Sequence, residues 1–202
     1  MGYESYWNFY QVSDKMFPAI NFEFASAQNG MLTIFNEKSY IEAPGESSER
    51  KILDHRIFFY DPFASLDYLV SRNNNLYLPF ISQSSLSRVL PTVVLFYGIG
   101  QERFFQLPGC FGNMIIHSSD IDRATSKISK ILDLDREIFF QKAKVHLDYS
   151  TGWAGGAEER EDVFNVLDDL PIALAKAKSS GVGLLSLVTR EFWSPRTLTD
   201  HP

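Results

Sequence analysis

The residues that could carry chemistry begin with Cys110 and His117, seven positions apart across a glycine-rich stretch. A thiol beside an imidazole is the pairing of a thiol hydrolase, with cysteine as nucleophile and histidine as base. Such a cysteine needs its pKa lowered by a neighbouring cation, a base or a helix N-terminus, and the local sequence supplies none of these. Cys110 therefore reads as a small buried hydrophobe. As the sole cysteine, it forms no internal disulfide and builds no thiolate zinc site, which suits a reducing compartment.

The four histidines, His55, His117, His146 and His201, show no HxH or HExxH spacing. A metal site would need distant positions to converge on carboxylates such as Asp54, Asp120 or Asp148, so no cofactor or metal is expected. Gly98 and Gly100 follow an apolar run, where a phosphate loop would start. The third glycine of a dinucleotide fingerprint and the lysine of a Walker loop are both missing. Gly155-Gly156 precedes a helical pattern, but Glu158, Glu159 and Glu161 would repel an anion there. The carboxylate pairs Glu158/Glu159 and Asp168/Asp169 suggest acid–base work, yet neighbours on a helix point about 100° apart and do not converge on one atom. Charges favourable to helix N-termini explain them better.

The feature that survives is a surface one. Residues 148–170 hold seven acidic side chains against Arg160 alone, so this stretch carries the entire net charge of −6, and the rest of the chain is balanced. With Tyr149 and Trp153 beside Asp148, Glu158, Glu159, Glu161 and Asp162, it offers aromatic anchors in a charged rim. Rings supply buried contact area and charges supply steering, the two needs of a protein-binding surface. The structural alternative is a solvated loop and helix face. Nucleic acid is not an expected partner, because an acidic chain lacks the arrayed Lys and Arg that phosphates require.

The elements that position these residues are read from periodicity. Residues 92–97, Thr-Val-Val-Leu-Phe-Tyr, carry no charge and no alternation, which predicts a central strand covered on both faces. Ile20, Phe22 and Phe24 alternate with Asn21, Glu23 and Ala25 before Gln28-Asn29-Gly30, predicting a hairpin completed by residues 31–35. A loop over 43–49 and a strand over 52–60 follow. Asp61-Pro62 opens a short helix with Phe63, Leu66 and Val70 on its inner face. A second short helix is expected over 84–90.

Residues 107–113 form a glycine-rich turn into a short strand over 114–117. Ser118-Ser119-Asp120 then caps a helix whose inner face is Ile121, Ala124, Ile128, Ile131 and Leu132. Asp135 opens another, with Phe139, Ala143 and Leu147 inside. A flexible loop over 148–157 leads to a helix that buries Val163, Val166, Leu167, Leu170, Leu174 and Ala177. Pro171 should kink or restart it, with Asp168 or Asp169 as the new cap. Ser179-Ser180-Gly181 ends this helix, residues 183–188 form the last strand, and the tail 194–202 is loose.

Pro108-Gly109-Cys110-Phe111-Gly112-Asn113 leading through a short strand to a capped helix, then an acidic helix ending in Gly181-Val182-Gly183-Leu184-Leu185, resembles the small standalone immunity proteins encoded beside bacterial polymorphic toxins. The resemblance covers roughly the second half of the chain. It implies a cytosolic protein that binds and blocks one toxin without catalysis of its own, and it transfers no binding residue.

The sequence thus predicts a single α+β domain over 1–202: a mixed, mostly antiparallel sheet with helices packed against it, aromatic strands in 1–60, and helices and remaining strands in 61–193. No apolar run spans the roughly 18 residues a bilayer needs, the first ten residues lack a signal-peptide pattern, and Tyr6 stands where myristoylation wants Ser or Thr. A cytoplasmic protein with a cognate protein partner, such as a basic toxin domain, is the expectation. A small hydrolase and a scaffold subunit are the alternatives.

Overall fold

The computed structural model describes residues 2–34, 78–87, 90–151 and 157–193, together with Phe63, Leu66 and Val70. The sheet has four strands, β1 (Gly2–Val12), β2 (Phe80–Ser87), β3 (Met114–Ile116) and β4 (Gly183–Trp193), in the order β2-β1-β4-β3. All three pairings are antiparallel. The α+β expectation holds, with no parallel pair among the described strands.

β1 and β4 form the spine, pairing from Gly2↔Trp193 to Val12↔Gly183. Along β1, Ser5, Trp7 and Phe9 fall on one face, and all three are buried. The neighbours of the two rings are mostly small: Trp7 lies opposite Ser84 and Val188, Phe9 opposite Ser82 and Ser186. Serines in the flanking strands leave room for the rings and for the helices above. Leu185, Leu187 and Asn8, on the opposite face, are buried too, so the spine is covered on both sides.

Three predicted elements change type. Residues 91–99 form helix α2 (Pro91–Ile99), not the predicted strand over 92–97. Pro91 occupies the first helical position, where its fixed φ and missing N–H cost nothing, while Leu90 before it is extended. A short uncharged run has no period to separate a strand covered on two faces from a helix covered all round. The core placement stands, because Leu95 and Phe96 are buried and only Tyr97 reaches partial exposure.

The predicted hairpin over 20–35 is instead helix α1 (Phe17–Ile34). Ile20, Phe24 and Ala27 are buried at i, i+4 and i+7, and Phe22, which completed the apparent alternation, is 71% exposed. Residues 84–87 of the short helix expected over 84–90 instead belong to β2, a serine-rich strand whose Ser84 and Leu86 point inward. Phe63, Leu66 and Val70 are all buried as predicted, and Leu66 and Val70 are helical. The predicted loop over 43–49, strand over 52–60 and tail over 194–202 lie outside the described residues.

The second half follows its periodicity. After the four-residue α3 (Gln101–Phe104) come α4 (Ile121–Ile131), α5 (Arg136–Thr151) and α6 (Ala157–Ser180). Asp135 Oδ1 accepts from the backbone N–H groups of Glu137 and Ile138, the N-cap bonds its position predicts. Val163, Val166, Leu167, Leu170, Leu174 and Ala177 are buried on one side of α6. This helix does not restart at Pro171 but continues through it to Ser180. It closes with Gly181 at φ 63°, the N–H of Val182 bonding Ala177 O and that of Gly181 bonding Lys178 O, the two bonds of a Schellman end.

The glycine-rich turn is a tight hairpin. Cys110 and Asn113 exchange both backbone bonds across Phe111 and Gly112, which sit at φ 49° and 87°. Two successive positive φ values make a type I′ turn. The turn is clamped to the sheet, since Gly112 O accepts from Trp7 Nε1 at 2.9 Å and from Ser186 Oγ at 2.6 Å.

Candidate functional site

Two places bring chemistry-bearing side chains together. The first is the packing of α5 against α6, the two helices whose backbones carry the expected partner-binding residues other than Trp153. Here Arg136 stacks over Phe164 at 4.7 Å and Arg160 over Phe140 at 4.8 Å, and the two rings are 5.8 Å apart. Arg136 also pairs with Asp168 at 2.7 Å, and Arg160 with Glu137. Each arginine thus holds a ring and a carboxylate at once, clasping α5 to α6 through cation–π and ionic contacts. About half of each arginine side chain remains exposed.

This clasp redistributes the acidic charge. Asp168 is neutralised by Arg136, and Asp169 turns the other way, where it accepts a hydrogen bond from the Ser84 hydroxyl of β2. Neither caps a restarted helix. Burial raises the pKa of Asp169, an effect its bond from Ser84 partly offsets; Asp168 adds to the rise and Lys176 opposes it. Glu161 is exposed and Asp162 half-buried. Asp148 and Tyr149 belong to the backbone of α5, which continues to Thr151 where a loop was expected, and Glu158 and Glu159 to the first turn of α6. The side chains of these four, and Trp153 altogether, lie outside the described residues.

Beside the clasp, Leu132, Asp133, Arg136, Leu167, Asp168 and Pro171 line an open cleft of about 540 Å³. Its one close ion pair, Arg136–Asp168, is internal to the protein.

The second place is a corner of the sheet where three strand ends meet. Asp14 follows β1, His117 follows β3, and Gly183 opens β4. A Cβ at Gly183 would stand 2.5 Å from Ile116 O and 3.3 Å from Val12 O, so only glycine admits this convergence. His117 Nδ1 accepts from the Ser119 backbone N–H at 3.2 Å and lies 2.9 Å from Ser119 Oγ. Nδ1 is therefore the lone-pair nitrogen, and the proton of the neutral ring sits on Nε2. Nε2 faces Asp14 Oδ1 at 3.4 Å, and the same oxygen accepts from Ser118 Oγ at 2.6 Å. The Phe17 ring packs edge-on against the imidazole at 4.6 Å.

The predicted cap of α4 is thus altered. Ser118–Asp120 forms a 3-10 turn ahead of the helix, His117 supplies the capping acceptor, and Asp120 makes no side-chain cap bond. Sequence reading named His117 but not Asp14, which lies 103 positions earlier in the chain. No linear spacing carries that signal; only the β1–β4–β3 order brings the two together.

Cys110 is buried in the turn, bridged to Asn113. Among the described residues, no group of three His, Cys, Asp or Glu side chains is placed to hold a metal ion, and no helix is long and apolar enough to cross a membrane. No protein family, curated protein or solved structure matches the chain.

Proposed function

We propose that this protein binds another protein through its α5–α6 face, and that the partner is a basic toxin domain that it occludes, as an immunity protein does. The observation that supports this reading is the Arg136–Phe164–Phe140–Arg160 ladder, in which two half-exposed arginines cover a buried Phe140 and a partly buried Phe164. Arginine and aromatic side chains are the residue types interface cores favour, and a clasped ladder loses little conformational freedom on binding. The same two helices carry Ile138 and Ile172, 55% and 44% exposed. Apolar side chains left in water offer contact area that a partner can bury. The acidic first turns of α6 add attraction for a basic surface.

The test is binding kinetics against the product of the adjacent gene at low and high ionic strength, with circular dichroism to confirm folding. Neutralising Glu158, Glu159, Glu161 and Asp162 together slows association and flattens its salt dependence, because these charges act over a Debye length of roughly 8 Å at physiological salt. Trp153→Ala and Ile172→Asp mainly speed dissociation. Folded variants that all bind like the parent would refute the assignment to this face.

A further inference from the structure

We infer that the cleft between the end of α4 and the middle of α6 is a recognition pocket for a guanidinium group on an alkyl stem, the side chain of an arginine. Its part in partner binding rests on the function proposed above; the pocket itself does not. At about 540 Å³ the cleft falls within the roughly 300–1,000 Å³ of ordinary ligand pockets. Leu132, Leu167 and Pro171 give it apolar walls, which suit the methylenes of a long basic side chain. Its formal charges balance, Asp133 and Asp168 against Lys130 and Arg136. The acceptors left over therefore determine what it takes.

Pro171 lies inside α6 and has no N–H, so Leu167 O, one turn earlier, lacks its helical donor. Both residues line the cleft. A carbonyl in that position calls for an N–H from outside the helix and disfavours an anion. Asp168 gives Oδ2 to Arg136 at 2.7 Å, and its Oδ1 has no bond among the described contacts. Asp133 adds an exposed carboxylate. The cations are placed differently: Arg136 is held by Asp168 and the Phe164 ring, and Lys130 stands exposed in the last turn of α4. The neighbourhood already binds one guanidinium, since Arg103 Nη1 donates to Ile131 O at 3.3 Å and to Asp133 O at 3.1 Å. The negative end of the α4 dipole adds attraction there. A second guanidinium, with five donors in a planar fork, can serve Leu167 O and Asp168 Oδ1 together, whereas the three donors of an ammonium share one nitrogen. Asp168 would then bridge two arginines, one through each oxygen.

The test uses the full chain, labelled with nitrogen-15, and two small probes: N-acetylarginine methylamide and its citrulline counterpart, which keeps the shape and loses the charge. The arginine probe should shift the backbone amides of Leu132, Asp133, Leu167 and Asp168 saturably, and the citrulline probe should bind roughly tenfold more weakly. Pro171→Ala restores an N–H to Leu167 O and leaves every charge in place. It should weaken the arginine probe by roughly tenfold, at a melting temperature equal to or above the parent's. Asp133→Asn should weaken the probe as well. No saturable shift with the arginine probe overturns the proposal, and so does equal binding of the citrulline probe or a Pro171→Ala protein that binds as the parent does. Inorganic phosphate saturating the same amides in preference to arginine would also overturn it, by marking Lys130 and Arg136 as the working groups. The two readings fail separately. An arginine probe that does not bind removes the pocket whatever the partner does, and a partner that leaves parent and Pro171→Ala at one rate, with the probe still bound, removes the pocket from the partner interface.

Discussion

Gly98 of α2 lies flat against the ring of Phe139 of α5, so close that a Cβ at position 98 would stand 2.2 Å from Phe139 Cε2 and 2.3 Å from Cδ2. Phe139 is wholly buried, and its ring has nowhere to retreat. A helix-interior glycine ordinarily costs up to about 1 kcal/mol relative to alanine. Here contact reverses that preference.

Gly98→Ala should therefore destabilise the protein by about 2 kcal/mol, since overpacking a close-packed core costs more than the propensity gained. Urea denaturation measures it. Adding Phe139→Leu, which vacates the clash, should recover part of the loss, giving a double-mutant coupling that two independent sites would not show. A Gly98→Ala protein as stable as the parent would deny this helix crossing.

Asp169 predicts a pH dependence of defined sign. Its pKa is raised in the folded state, chiefly by burial, so the folded protein binds the proton more tightly than the unfolded chain does. Stability from this group is then greatest at pH below the ordinary carboxylate range, and falls as pH rises toward the raised value. Asp169→Asn keeps an acceptor for Ser84 and removes the charge. It should raise the melting midpoint at neutral pH and flatten this limb of the stability curve, as paired melts across the acid range will show.

The clasp makes a prediction about arginine itself. Arg136→Lys retains a charge for Asp168 but loses the flat guanidinium over Phe164, and the two side chains are not equivalent at a stacked site. The expected cost is about 0.5–1 kcal/mol, the scale of an exposed cation–π contact. In a Phe164→Leu background the same substitution should cost measurably less. Chemical denaturation of the four proteins in this cycle tests it.

These contacts also show where the sequence was legible. The inner faces of α4 and α6 repeat every three or four residues, and Ile121, Ile128, Val163, Leu170 and Leu174 are buried where that spacing put them. Residues 92–97 lacked any period because α2 is buried on nearly every side, and burial erases the polar positions that mark a face. Ile20, Phe22 and Phe24 misled for the opposite reason: Phe22 is an apolar side chain left in water, and it converted a helical i, i+4 pair into a false alternation. Positions 161, 168 and 169 were visible as acids, but not that Arg136 and Ser84 would draw two of them away from a common surface. That depends on α5 and β2 packing beside α6, and side-chain direction on a helix resolves into partners only once the neighbouring elements are in place.

Phe111 supplies the sharpest prediction of stability. It holds φ 49° in the first central position of the type I′ turn, a conformation that costs a bulky residue of order 1 kcal/mol or more. Its ring packs 5.7 Å from that of Phe105 and 6.2 Å from that of Phe104, and this burial offsets the strain. Substitution separates the two effects. Phe111→Ala removes the ring but keeps a Cβ at positive φ, so it loses packing and retains the strain. Phe111→Gly removes both, and Phe111→Asn places a residue that tolerates the left-handed region. Alanine should thus be the least stable of the three, with glycine above it by roughly 1 kcal/mol, the reverse of their order in a helix or strand. Thermal and urea unfolding of the three variants will decide it. An alanine variant equal to or more stable than the glycine variant would show that position 111 is not held in the left-handed region.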